Sequence, residues 1–424
     1  MQAIQRRTLI GAIGAGLVGA TALAVRPGRH GAPHERYFTE LTQALRAAGI
    51  ATPTLVIDRQ RLHANVKQIV RNIGGRMQLR VVAKSLPSIA LIHEVQALTQ
   101  TDRLMLFSLP QLLQLATGNN QILLGKPLPV AAAARFYRDA KAQPAPGQVQ
   151  WLVDTPERLA QYRDLARQQQ LPLAVNFEID VGLHRGGIAS AQALQDMLAI
   201  VQSEPRLQWS GLMGYDAHIT KIPDVAGARQ SATAHARQTY AAYASQVKTT
   251  LGEAAVQHAT FNAGGSPTYR LYDGSGVENE VAVGSAMVKG LDFDTPLLSD
   301  LQPATFIATP VLKALSPFQM PYGVEFLGSA ARTWDRNQER AYFIYGGNWL
   351  ADPVSPAGLQ ASGLYGTSSN QQVLVGSGMQ NLQVDDMVFF RPRQSEAVLQ
   401  QFGDIAVYED GKIVQFWQPM AATG

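Results

Sequence analysis

The sequence contains no cysteine. Disulfides, thiolate nucleophiles, iron–sulfur clusters and cysteine-ligated zinc are therefore excluded together. Chemistry must run on lysine, histidine, tyrosine, serine, acids or a cofactor. Charge excess is small: 36 Lys plus Arg against 32 Asp plus Glu give a formal net charge of +4 over 424 residues. No basic run occurs beyond the N-terminus, so nucleic-acid binding is not indicated. Lysine is scarce, with nine in the chain, so any lysine chemistry has few candidates. After the N-terminal segment no stretch reaches the ~18 apolar residues of a membrane span. The apolar fraction of 46% still supports a large core and excludes global disorder. At roughly 150 residues per domain, the length suggests two domains.

Arg6-Arg7 precede an apolar run, Leu9 to Val25, rich in Gly and Ala, and Ala22-Leu23-Ala24 fits a small-residue cleavage site. This layout predicts a twin-arginine signal peptide over residues 1–24 and a periplasmic destination. The run has 17 weakly hydrophobic residues, which disfavours a stable membrane anchor. A periplasmic address would permit disulfides. With none available, stability must come from packing. Residues 25–53 form a lead-in with one amphipathic helix, His34–Gly49.

From 54 to 290 short apolar runs alternate with helical patterns. Strands are predicted at Thr54–Ile57, Leu79–Ala83, Arg103–Phe107, Gln121–Leu124, Val149–Val153, Leu173–Ile179, Trp209–Tyr215, Ala259–Asn262 and Glu280–Val288. Helices are predicted between them, including Arg59–Asn72, Pro87–Leu98, Pro129–Ala142, Thr155–Gln169, Ser190–Gln202 and Asp224–Thr250. The alternation argues an α/β fold with a parallel sheet, closed as a (β/α)8 TIM-type barrel. After 290 amphipathic helices disappear and Gly, Pro, Ser and Val dominate. A C-terminal β domain is predicted over 291–424, ending in a hairpin whose turn is Glu409-Asp410-Gly411-Lys412.

In such barrels function collects at the C-terminal ends of the strands. Leu79-Arg80-Val81-Val82-Ala83-Lys84 ends a strand on a lysine. Desolvation there would lower its pKa and suit imine formation with an aldehyde, although most strand-end lysines are simply solvated. Glu178, Asp180, His184 and Arg185 lie at or beyond another strand end, and Gly211 to His218 ends a third. Asn262-Ala263-Gly264-Gly265-Ser266-Pro267-Thr268 is a Gly/Ser loop able to cradle a phosphate. Each alone also fits an ordinary βα turn that uses glycine for positive φ. The four in order, lysine first, point to a site.

The same residues carry a resemblance. Thr52 to Asp58, Leu62, Asn65 and Arg80 to Lys84 resemble the opening of fold-type III pyridoxal-phosphate enzymes. More narrowly, the chain resembles the D-threonine aldolase and D-serine dehydratase family, cousins of alanine racemase. Asp180-Val181-Gly182…Arg185-Gly186-Gly187, Gly211-Leu212-Met213-Gly214-Tyr215 and Pro392-Arg393-Gln394-Ser395-Glu396 follow that family, as do Asp404–Tyr408 and Asp410 to Trp417. The resemblance implies pyridoxal 5'-phosphate held by a Schiff base on Lys84, which then moves protons at the substrate α-carbon. It implies Arg185 facing the phenolate oxygen, Tyr215 beside the pyridine, and Gly264, Gly265 and Ser266 on the phosphate, with Asn262 in the cofactor site. His218 is a further catalytic candidate, and a structural strand-end histidine is an equal reading.

Two departures bear on the reaction. The family places a His and a Cys or Asp, two apart, to hold a divalent metal that grips the substrate β-hydroxyl. Here these positions are Gln394 and Glu396, so no tightly bound zinc is expected. The pair would instead contact substrate or bond within the β domain. The alanine racemase pattern would carry Arg where this chain has Ala282. Its loss favours elimination or retro-aldol cleavage over racemisation. The resemblance thus implies a lyase acting on D-amino acids, chiefly β-hydroxy D-amino acids. A periplasmic amino-acid racemase is the alternative; alanine racemase takes its second base from a tyrosine of the partner subunit, and Tyr322 echoes that position, although an ordinary turn tyrosine is the stronger reading of it. A pyridoxal-phosphate-binding protein without turnover is the third reading. A homodimer is implied.

Overall fold

Asp58, Ser108, Thr155 and Ser190 each place a side-chain oxygen on the first turn of the helix that follows. Such caps satisfy backbone donors left open at a helix start, so the sequence itself sets where strands give way to helices. A computed structural model describes residues Arg26–Ala421. The signal-peptide expectation over residues 1–24 lies outside the described residues. Strand β1 is Thr54–Asp58. The next eight are β2 (Gln78–Val82), β3 (Arg103–Leu106), β4 (Gln121–Leu124), β5 (Val149–Val153), β6 (Leu173–Ile179), β7 (Leu207–Gly214), β8 (Thr260–Ala263) and β9 (Glu280–Val283). These eight close a parallel barrel in sequence order, with β9 against β2. The helices between them include Arg59–Ile73, Ile89–Thr99, Val130–Asp139, Pro156–Gln169, Ala191–Gln202 and Ala228–Leu251. The α/β barrel followed by a mixed β sheet is the architecture the sequence pattern predicts.

Two compact units divide the chain. One takes residues up to Thr54 together with Ile307–Arg391; the other takes Leu55–Phe306 and resumes at Pro392. This differs from the predicted spans 54–290 and 291–424. In the first unit, strands β10 (Thr305–Leu315), β11 (Arg340–Ile344), β12 (Ala351–Ser355), β13 (Gln360–Ala361), β14 (Val373–Gly376) and β15 (Met387–Pro392) build the sheet. Its order runs β13-β14-β11-β10, and β15 pairs with β10 and β12. In the second unit β16 (Ile405–Glu409) lies parallel to β1, with Val56 opposite Ala406. That pairing returns the chain's end to the barrel unit and leaves β1 outside the barrel. Strand β17 (Lys412–Trp417) closes the predicted hairpin antiparallel to β16. Asp410 and Gly411 both have positive φ, 48° and 77°, as a two-residue turn of this hand requires.

The expected loss of helices after 290 is corrected by Glu325–Trp334. Its apolar residues recur at helical spacing, but Gly328 in the middle weakens the propensity signal. Strands β12 and β13 also escaped the pattern: one contains Pro353, and the other is only two residues long. Predicted strand Glu280–Val288 turns after Val283 into a short helix, Ser285–Val288. Among the described residues, no helix is long and apolar enough to cross a membrane.

The barrel interior contains a fully buried ion pair. Arg80 on β2 and Glu280 on β9 have no solvent exposure. Arg80 Nε and Nη2 donate to the two oxygens of Glu280 at 2.5 and 2.9 Å. Arg103 Nη1 and Asn262 Nδ2 donate to the same carboxylate at 2.9 and 2.8 Å. Arg80 Nη1 is taken up by the carbonyls of Leu104 and Gln121. Burial pushes the Glu280 carboxyl up, but Arg80, Arg103 and Asn262 outweigh it and hold it below the usual range. Removing one partner of such a pair strands the other's charge in the interior. Glu280→Gln is therefore expected to destabilise the protein by about 3–5 kcal/mol, measured by urea unfolding at neutral pH.

Candidate active site

Strand ends β2, β3, β7, β8 and β9 surround a pocket of about 700 Å³ including its open mouth. Lys84 sits in the single turn Ala83–Ser85 directly after β2, so the strand delivers it to the pocket. Its Nζ lies 2.6 Å from Glu396 Oε1 and 4.8 Å from the centre of the Phe107 ring. Phe107 follows β3 and walls one side. Tyr215 follows β7, and the Arg185 guanidinium lies 4.9 Å over its ring. Burial pushes the Tyr215 hydroxyl up, Arg185 opposes this, and Asp216 and Glu396 add to it. A cation over an aromatic face is attractive, so each side chain holds the other in place.

The glycine loop is fastened from behind. Asp216 is buried and accepts from Thr268 Oγ1 at 2.5 Å and from the Tyr272 hydroxyl at 2.7 Å. Thr268 Oγ1 in turn accepts from the Gly265 N–H at 3.1 Å. Gly264 has φ +65°, and a Cβ on Gly265 would stand 2.6 Å from Tyr215 Cε2. Glycine at 265 is thus imposed by the close approach of the tyrosine ring. Ser266 Oγ accepts from the N–H groups of Gly284 and Ala286, both at 3.1 Å. Two backbone donors therefore converge on one oxygen at the pocket's edge. Behind them Ser285 Oγ meets both Ser85 Oγ and Ser395 Oγ at 2.8 Å.

Lys84, Arg185, Tyr215, Asn262, Gly264, Gly265, Ser266 and Glu396 all line this one pocket, as does Ala282. Three candidates stand elsewhere. His218 is outside the lining, packed towards Gly182, and its buried Nδ1 has no hydrogen-bond partner among the described residues. Tyr322 lies in the other unit and is 99% exposed. Gln394 is exposed and outside the lining. Asp180 accepts from the N–H groups of Gly182 and His184 and from the His184 ring, so it orders the turn that leads to Arg185. Sequence reasoning missed Phe107, Ser285 and Tyr272, and it placed Thr268 in the loop without its bond to Asp216. Phe107 was readable as the end of a strand; the others act through partners far away in sequence. Among the described residues no cluster of three or more His, Asp or Glu is placed to hold a metal.

A family profile described as alanine racemase, N-terminal domain, matches residues 57–292, more than half of the chain. D-threonine aldolase from Filomicrobium marinum is similar in structure, with a TM-score of 0.67, 18% identity, and coverage of 92% of this chain and 98% of that one. D-threo-3-hydroxyaspartate dehydratase from Delftia sp. HT23 gives a TM-score of 0.68 at 15% identity, covering 88% and 98%. Alanine racemase from Bacillus anthracis gives 0.64 at 15% identity, covering 87% and 98%. No match was found among curated proteins.

Glu178, at the end of β6, titrates unusually. Burial pushes its carboxyl up to about 7, Asp154 adds to this, Arg185 opposes it and Asp180 adds further. A folded pKa above the unfolded value means that stability present below about 4.5 is lost as pH rises through about 7. Glu178→Gln removes that loss. The variant is expected to match the parent near pH 4.5 and to exceed its stability above pH 7, by at most about 3 kcal/mol, in urea unfolding at both pH values.

Proposed function

The chain belongs to the alanine racemase N-terminal domain family, and from that premise we propose that it is a pyridoxal-phosphate-dependent lyase acting on β-hydroxy D-amino acids. The observation that carries the reading is a pocket that brings Lys84, the Arg185–Tyr215 stack and the Gly264–Ser266 loop together. These residues fit the cofactor. Lys84 supplies the one lysine amine in the lining, for an imine to the aldehyde carbon. Ser266, whose Oγ is held in place by the Gly284 and Ala286 N–H groups, keeps its hydroxyl hydrogen to donate, and the side-chain-free Gly264 and Gly265 let a phosphate approach the loop. Arg185 and Tyr215 would flank the ring. Bound there, the cofactor supplies an electron sink at the substrate α-carbon.

The chain's own residues supply the rest. Lys84 takes the proton from the α-carbon or returns one to it. Phe107 and Tyr215 exclude water from two sides of the pocket. Ala282, uncharged in the lining, places no guanidinium against the ring nitrogen, which supports cleavage at the β-position over racemisation. The substrate class is supported by the names of two similar solved structures, enzymes of D-threonine and D-threo-3-hydroxyaspartate. We read residues 1–24 as a twin-arginine address to the periplasm and the working form as a homodimer.

The test is a panel of D- and L-amino acids with the cofactor-loaded protein, with and without Mn²⁺ or Zn²⁺. Keto acid or aldehyde is expected from β-hydroxy D-amino acids, with their L-enantiomers unused. Lys84→Ala is expected to lose the visible imine band and to lower the rate by at least about a hundredfold. Enantiomer inversion without keto acid or aldehyde would overturn the lyase in favour of a racemase.

A further inference from the structure

We propose that Glu396 is a catalytic acid, protonating the β-hydroxyl as it leaves and taking its next proton directly from Lys84. This rests on the lyase reading above. Glu396 is the one acidic side chain among the described residues lining the pocket. Its Oε1 stands 2.6 Å from Lys84 Nζ, inside the range for proton transfer between heavy atoms. Its side chain is 46% exposed and that of Lys84 is 38% exposed, so the pair sits where a substrate enters.

The position is built rather than incidental. Ser395, next in the chain, is buried, and its hydroxyl bonds Ser285 Oγ at 2.8 Å. The Arg393 carbonyl accepts from the Asp292 N–H at 3.0 Å, and a Cβ on Gly290 would stand 2.8 Å from that same carbonyl. The Glu396 carbonyl accepts from the Leu399 N–H at 3.0 Å. Each side of Glu396 is thus pinned, and the carboxylate is held against the lysine. His218, the other acid–base candidate, does not reach the pocket.

The proton circuit closes without a further reactant. Lys84, as the neutral amine, takes the proton from Cα, and the electron pair of that bond becomes the Cα–Cβ double bond. The Cβ–O bond breaks with its pair on oxygen, and the hydroxyl leaves as water with the Glu396 proton. The proton on Nζ then passes to Oε1, and both groups are restored. A lysine serves Cα and a carboxyl in contact with it serves the neighbouring carbon.

The experiment compares D-serine with β-chloro-D-alanine, whose chloride leaves without a proton, in the cofactor-loaded parent and in Glu396→Gln. The variant is expected to lose at least about a hundredfold with D-serine and less than about tenfold with β-chloro-D-alanine. Glu396→Asp is expected to recover part of the D-serine rate. Pyridoxal phosphate binding, read from the imine band, should stay within about threefold of the parent's Kd. Equal losses with both substrates would overturn the proposal, as would failure of the variant to form the band, which would place Glu396 in cofactor loading. A parent that releases aldehyde but no keto acid from β-hydroxy D-amino acids overturns the proposal too, whereas one that releases neither from any of them, nor keto acid from β-chloro-D-alanine, overturns the lyase reading instead.

Discussion

The buried carboxylate of Glu280 is the constraint on which the barrel rests. Moving two full charges out of water costs several kcal/mol per ion unless the geometry returns it. Here the return comes from a two-pronged guanidinium, a second arginine and an amide, all on one carboxylate. Those donors sit on β2, β3 and β8, while the acceptor sits on β9. The same four strands carry Lys84, Phe107, Ser266 and Ala282 at or after their far ends. A one-residue slip of any strand would turn its side chains to the opposite face and leave a charge unpaired. The ion pair thus fixes register at one end of the barrel and, through rigid strands, the positions of pocket residues at the other. Asn262 takes part in both, bonded to Glu280 and facing the pocket.

The pocket itself is shaped by close approach. Gly265 lies against the Tyr215 ring, and a Cβ on Gly284 would stand 2.6 Å from the Val82 carbonyl. Small residues let main chain form the wall, and main chain offers directed N–H groups without added charge. The Asp216 carboxylate then holds the loop through Thr268 and Tyr272. Burial raises the pKa of Asp216, and those two hydrogen bonds oppose the rise. Lys84 and Arg185, the two basic side chains of the described lining, meet an acid and an aromatic face respectively.

Much of this was legible. Strand β2 was readable because Leu79 to Ala83 is apolar around one arginine and stops at Lys84. The Asp410-Gly411 turn was readable because only certain residues accept positive φ at both positions. The glycine loop at 264–266 was readable from its run of small residues directly after a strand. What escaped depends on partners distant in sequence. Arg80 and Glu280 are 200 positions apart, and neither advertises the other. Strand β1, buried at every position, reads like a barrel strand, yet it pairs with β16. The apolar pattern reports that a strand is covered, not by what. The placement of Glu396 beside Lys84 likewise follows from the chain's return after Arg391.

That return has a consequence for how the protein is made. The unit holding the pocket is written in two instalments, Leu55–Phe306 and the stretch from Pro392, with Ile307–Arg391 spelled out between them. Chains emerge from the ribosome N-terminus first. The barrel can close early, but β1 has no β16 beside it, and Lys84 no carboxylate, until the stretch from Pro392 has been made. A nascent chain that has not yet reached Pro392 therefore holds Lys84 without Glu396 beside it, and the contact forms only once the second instalment has been added.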